Sequence, residues 1–229
     1  MKLAANLNFL FTEGNKSIAE RIRLAHKAGF RAVEMNYPDS ELSAVAEATV
    51  ETGIEIALLT INFGDSKIGT ASVPNAEEKF ATQLQETINF AKKLKSRLLE
   101  AENMLGVIEP ISAYAVPKYF NNNFERASSV IIAVNSKHIR LMIDIFHLQH
   151  IMGNVTNAFA DFKDIIGHIQ IAQAPHRHEP DVAGELDFSY VFEVIKSSGY
   201  SDWIGCEYKP KTNTLDGLKW IEEYPIVHL

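Results

Sequence analysis

Four polar residues stand at the ends of apolar runs where a strand pattern calls for another apolar side chain: Glu109 in VIEPI, Asp144 in LMIDIF, Gln170 in HIQIA and Glu207 in GCEY. Side chains alternate along a strand, so Val107 with Glu109, Met142 with Asp144, His168 with Gln170 and Gly205 with Glu207 each share one face. If those faces point into a barrel of parallel strands, four oxygen donors converge near the carboxyl ends, where such barrels keep their sites. Carboxylates gathered this closely repel one another unless a cation or shared protons neutralise them. Carboxylate and amide oxygens suit Mg²⁺ or Mn²⁺, whereas zinc would call for more His or Cys. Each residue alone has an ordinary explanation: Glu109 could brace the turn at Pro110, and Glu207 could pair with Lys209 or Lys211. The coincidence on four consecutive strands carries the reading.

Further candidates surround these four. His147 follows Asp144 by three residues, just past the strand, within reach of a molecule held there. The stretch APHRHEPDVAGE brings His176, Arg177, His178, Glu179 and Glu185 into one loop. Arg177 could grip a carboxylate with both arms of its guanidinium; the alternative is a salt bridge to Glu179 or Glu185. Glu34, at the end of RAVEM, either joins the site or caps the following loop. His150 and His168 read as core or surface histidines, and Cys206 as a small buried apolar residue on the face opposite Glu207. Neither a glycine-rich phosphate loop nor a G-x-S-x-G elbow is present, which argues against nucleotide chemistry and serine hydrolysis.

The elements that must hold these residues repeat one grammar: amphipathic helix, glycine, strand. IAERIRLAHKAGFRAVEM stops at Gly29, LSAVAEATVETGIEIALLTI at Gly53 and FSYVFEVIKSSGYSDWIGCEY at Gly199. Helices alternating with strands that are apolar on both faces predict a parallel sheet covered by helices. Seven strands can be counted: LAANLNF, RAVEM, EIALLTI, GVIEPI, RLMIDIF, GHIQIAQ and WIGCEY. That is one short of a (β/α)₈ barrel, and between the third and fourth runs lies a helical stretch of unusual length, residues 75–104. The 229 residues suit a single barrel domain spanning 1–229. The net charge of -7 argues against nucleic acid or an anionic membrane as partner, while self-association stays open. One cysteine excludes an intramolecular disulfide and fits the cytoplasm. The segment MKLAANLNFLFTEG is broken by Asn6 and Asn8, a poor signal-peptide core.

At these residues the chain resembles the hydroxypyruvate isomerase family within the xylose-isomerase-like barrels. The resemblance rests on AANLNFLF, GFRAVEMNYP, VIEPIS, MIDIFHLQ, GHIQIAQAPHRHEPDVAGELDFSYVF and GCEYKP followed by GLKWIEEY. It covers nearly the whole chain, and the stretch from Gly167 to Phe192 is the most specific. It implies Glu109 and Glu207 as paired catalytic glutamates, Glu109, Asp144, Gln170 and Glu207 as ligands of a divalent metal, and His147 and Arg177 as substrate contacts. The implied reaction converts hydroxypyruvate reversibly to 2-hydroxy-3-oxopropanoate through an enediolate, with a metal stabilising the developing charge. An epimerase or isomerase acting on a ketose, or a non-catalytic product of the same gene, are the alternatives. The chain departs from the family at Ser112, where Asn is usual, and at Asn62, where bacterial members often place His. It also lacks one βα unit of roughly thirty residues near 95–104, which accounts for the count of seven strands and the long helical stretch.

Overall fold

The structure, a computed structural model, describes residues 1–66, 68–94 and 104–229. Seven strands form: β1 (Lys2–Asn6), β2 (Ala32–Met35), β3 (Glu55–Leu59), β4 (Gly106–Ile108), β5 (Ile139–Asp144), β6 (Ile166–Ile171) and β7 (Trp203–Cys206). Eight α-helices lie among the described residues: α1 (Ile18–Lys27), α2 (Leu42–Thr52), α3 (Glu77–Lys93), α4 (Phe124–Val134), α5 (Ile145–Ile151), α6 (Val155–Phe162), α7 (Phe188–Ser197) and α8 (Thr214–Gly217). The chain divides into two compact units, residues 4–104 and residues 1–3 with 105–229.

In the unit of residues 4–104, β1 pairs with β2 and β2 with β3, all parallel. α1 starts at Ser17, whose hydroxyl accepts the Glu20 N–H while the Glu20 carboxylate accepts the Ser17 N–H, a reciprocal cap that satisfies two otherwise orphaned donors. α2 stops at Gly53, which adopts the left-handed backbone (φ 67°) that closes a helix and that side chains disfavour. β1 ends where the Asn6 carboxamide oxygen accepts the Asn8 N–H and turns the chain. Within the helical pattern of 75–104, α3 spans Glu77–Lys93 with its cap at Leu94, and residues 95–103 of the pattern lie outside the described residues. The expected site of the missing unit lies, apart from Met104, outside the described residues.

In the larger unit, β4 pairs with β5, β5 with β6 and β6 with β7, again all parallel. Met1–Leu3 joins the chain's far end: the Leu3 N–H donates to the His228 carbonyl and the His228 N–H to that of Met1. Ile143, Ile169, Ile171, Ile204 and Cys206 are almost completely buried, as are Phe188 and Phe192 of α7. Phe192 stacks on Trp220, and the Trp220 indole N–H donates to the Tyr208 hydroxyl at 3.0 Å. That bond fixes the chain immediately after Glu207. β4 stops at Ile108 instead of running on to Ile111, because Pro110 offers no N–H and restricts Glu109 before it.

The close approach of β5 and β6 depends on one glycine. A Cβ at Gly167 would lie 2.4 Å from the Cβ of Arg140, an atom too near the backbone to move aside. Gly167→Ala therefore lowers the unfolding free energy by about 1–3 kcal/mol in urea denaturation followed by circular dichroism.

Candidate active site and its acidic cluster

Asp144 and Gln170 are register partners on β5 and β6, so the two side chains lie abreast on one face. Asp144 is completely buried, and its two oxygens have separate tasks. Oδ1 accepts the Phe146 N–H at 2.9 Å and caps α5, a helix that starts directly at the strand end. Oδ2 accepts from Arg177 Nη2 at 2.8 Å. The cap turns the chain at once, which puts His147 in the first turn of α5, with its Nε2 3.5 Å from Asp144 Oδ2 and 3.7 Å from Glu109 Oε1.

His147 Nδ1 lies 3.4 Å from both the backbone nitrogen and the hydroxyl oxygen of Ser112, while Nε2 is turned toward the two carboxylates. Arg177 Nη1 lies 3.3 Å from His147 Nε2, and because a guanidinium can only donate, the imidazole nitrogen is the acceptor of that bond. Burial pushes the His147 pKa down to about 4; Arg177 and His150 add to the fall and Asp144 opposes it. The imidazole is accordingly neutral at pH 7.

Arg177 joins the site together. Its Nη2 lies 2.8 Å from Asp144 and 2.5 Å from Glu207 Oε2, and the guanidinium rests on the Phe146 ring, 4.6 Å from its centroid. Burial alone would make this charge easier to lose, but Asp144, then Glu207 and Glu109, hold its protonation above the ordinary arginine value. The loop that carries it is built around a buried amide, Gln173. That side chain donates to the carbonyls of Val182 and Leu186 and accepts the N–H groups of Ala174 and Leu186, each at 3.0 Å.

The expected site residues in the larger unit thus fall into two linked groups. Glu109, Asp144 and His147 offer ligand atoms that all lie within 4.8 Å of one another, a cluster able to hold a metal ion. Gln170 lies beside Asp144, and Glu207 is tied to Asp144 through Arg177. His147, expected only at a substrate, also stands among the candidate ligands. Glu179 and Glu185 do not take the salt-bridge role open to them: Glu179 accepts the Lys211 N–H and Glu185 the Gln149 side chain. Glu34 is fully buried in the other unit, accepting from the Asn6 amide at 3.0 Å. Cys206 is buried, as expected of a small apolar residue.

Gln173 and Phe146 escaped the sequence reading, because an amide in a loop and an aromatic after a strand carry no chemical signal of their own. Tyr119 did too; burial and then the charge of Glu109 push its phenol pKa up.

Acidic groups and a neutral imidazole at the carboxyl ends of parallel strands define an α/β enzyme of the TIM-barrel class. A profile described as Xylose isomerase-like TIM barrel matches residues 96–224. The chain belongs to that family. A Drosophila melanogaster protein, whose hydroxypyruvate isomerase name is itself provisional, is 46% identical over 257 positions, covering 97% of each chain. The Escherichia coli K12 hydroxypyruvate isomerase is 30% identical over 98% of this chain and 99% of its own. The crystal structure of a Brucella melitensis protein named AP endonuclease, family 2, superposes with a TM-score of 0.89 at 28% identity, covering 97% of this chain and 98% of that one. The Drosophila alignment runs to 257 positions against 229 residues here, so at least 28 positions of that relative have no counterpart in this chain.

A fully buried carboxylate beside a guanidinium sets a stability test. Arg177→Met leaves Asp144 without its buried counter-charge and lowers the unfolding free energy by about 3–5 kcal/mol in a chemical melt; adding Asp144→Asn restores part of the loss.

Proposed function

We propose that this chain is a hydroxypyruvate isomerase, interconverting hydroxypyruvate and 2-hydroxy-3-oxopropanoate. The observation that carries the reading is the convergence of Glu109, Asp144 and Glu207 on Arg177 and a neutral His147. The reaction moves a carbonyl from C2 to C3. A base takes a proton from C3 to give the enediolate, a proton is returned at C2, and the C3 hydroxyl proton passes to the C2 oxygen, leaving an aldehyde at C3 and a hydroxyl at C2. Glu109 and Glu207 are the proton-moving pair, each on the residue immediately past a strand end, β4 or β7. Arg177 holds the substrate carboxylate and so fixes which carbon faces the glutamates. His147 lies beside the substrate oxygens.

The donor set fits a divalent cation. Three carboxylates against one guanidinium, with His147 neutral, leave two negative charges to balance. Glu109, Asp144 and His147 would hold the ion, with Gln170 and Glu207 as further oxygen donors. When bound, Mg²⁺ or Mn²⁺ supplies electrostatic stabilisation of the negative charge that develops on the enediolate. The E. coli relative, named hydroxypyruvate isomerase and matched almost end to end, supports the substrate assignment. A net charge of -7 disfavours a nucleic-acid phosphodiester, the substrate class that the endonuclease name of the Brucella protein implies for that protein.

Purified protein with added Mg²⁺ or Mn²⁺ turns over hydroxypyruvate in preference to small ketoses; turnover of a ketose alone would replace this reading with an epimerase. Glu109→Gln and Glu207→Gln each lower kcat by at least about 100-fold, measured by direct assay of the aldehyde product. Saturating Mn²⁺ raises the thermal midpoint of the unmodified chain, and Asp144→Asn removes most of the rise.

A further inference from the structure

In the larger unit the site leaves one buried carboxylate unused. Glu179 is 3% exposed and, among the described residues, forms no ion pair. Both of its oxygens accept the backbone N–H of Lys211, at 3.0 and 3.1 Å. Gly217 closes over it: a Cβ there would come 2.3 Å from Oε1, so a side chain at 217 would have to displace the carboxylate from this position.

Glu179 is two residues past Arg177, and Lys211 is four past Glu207. The two segments run side by side. The Lys209 N–H donates to the Arg177 carbonyl at 2.6 Å, and the His178 ring N–H at Nδ1 donates to the Lys209 carbonyl at 2.9 Å. Glu179 makes the next rung, a side chain standing where a backbone acceptor would continue the pairing. This ladder begins at a residue with a left-handed backbone: Arg177 has φ 60°, a conformation that a non-glycine residue keeps only where its surroundings impose it. Its N–H is held by the Gln173 carbonyl at 2.8 Å and its carbonyl by Lys209.

We infer that Glu179 is a positioning residue for the reaction, clamping the Arg177 loop to the segment after Glu207 and thereby setting where the guanidinium stands against Asp144 and Glu207. It touches neither substrate nor the reacting atoms and works through Arg177. The inference rests on the reading of Arg177 as the grip on the substrate carboxylate. A misplaced grip weakens binding more than the proton transfer itself, so the kinetic effect falls on KM.

Glu179→Gln, close to isosteric, raises KM for hydroxypyruvate about fivefold or more with kcat within threefold, and Glu179→Asp, one methylene short of Lys211, does the same. In an Arg177→Lys background the Glu179→Gln change adds less than twofold, because two residues acting as one unit are not additive. A second readout needs no turnover: the Arg177 Nε–Hε NMR signal, assigned by its loss in Arg177→Lys, shifts or exchanges faster with solvent in Glu179→Gln. KM within twofold of the unmodified chain, an unchanged Arg177 signal, or full additivity with Arg177→Lys each overturns the inference. Failure of both Glu179 variants to fold overturns it in favour of a general structural role. If the unmodified chain does not turn over hydroxypyruvate, the functional reading falls, and the Arg177 signal alone decides the role of Glu179.

Discussion

The site depends on one charge placement: a guanidinium between Asp144 and Glu207, on the face of Phe146. Asp144 is fully buried, and a carboxylate taken out of water without a partner is very costly. Arg177 and the α5 N-terminus together offset that cost, one at each oxygen. The same charge reaches Glu207 on another strand, so the acid of β5 and the acid after β7 are held by a single donor group. Had Arg177 paired with Glu179 or Glu185 in its own loop, the carboxylates would face one another with only solvent or an ion between them.

That placement passes its demands outward. Arg177 can reach across only because its loop is folded around the Gln173 amide and joined to the segment after β7. That segment is fixed in turn by Tyr208 and Trp220 against α7. On the other side, Asp144 serves as both strand end and helix cap, so the backbone turn that buries its charge also delivers His147. Polar groups in this unit are satisfied in chains, and each bond makes the next one geometrically available.

Much of this was legible in the sequence. The apolar runs placed all seven strands, and the helix–glycine–strand grammar three of them with the helices before them, because apolar periodicity and left-handed stops are local properties of the chain. The strand-end positions of Glu109, Asp144, Gln170 and Glu207 followed from the same alternation. One boundary did not follow: β4 yields to Pro110. The family resemblance is matched by relatives aligned over nearly the whole chain, one of which has at least 28 positions with no counterpart here.

What the sequence by itself determined is therefore the set of elements and the chemical types at their ends, since spacing along one strand or helix is enough to set which face a residue occupies. Which groups pair was decided only by the tertiary structure. Arg177 had local acids two and eight residues away, yet it bonds to Asp144 and Glu207, 33 and 30 residues distant in the chain. Glu179, the nearest of those acids, is instead committed to the Lys211 N–H. The physical reason is that the packed fold sets which groups come within reach of a buried charge: it brings the Arg177 guanidinium to Asp144 and Glu207 and turns Glu179 to a backbone N–H, and neither follows from neighbours in sequence.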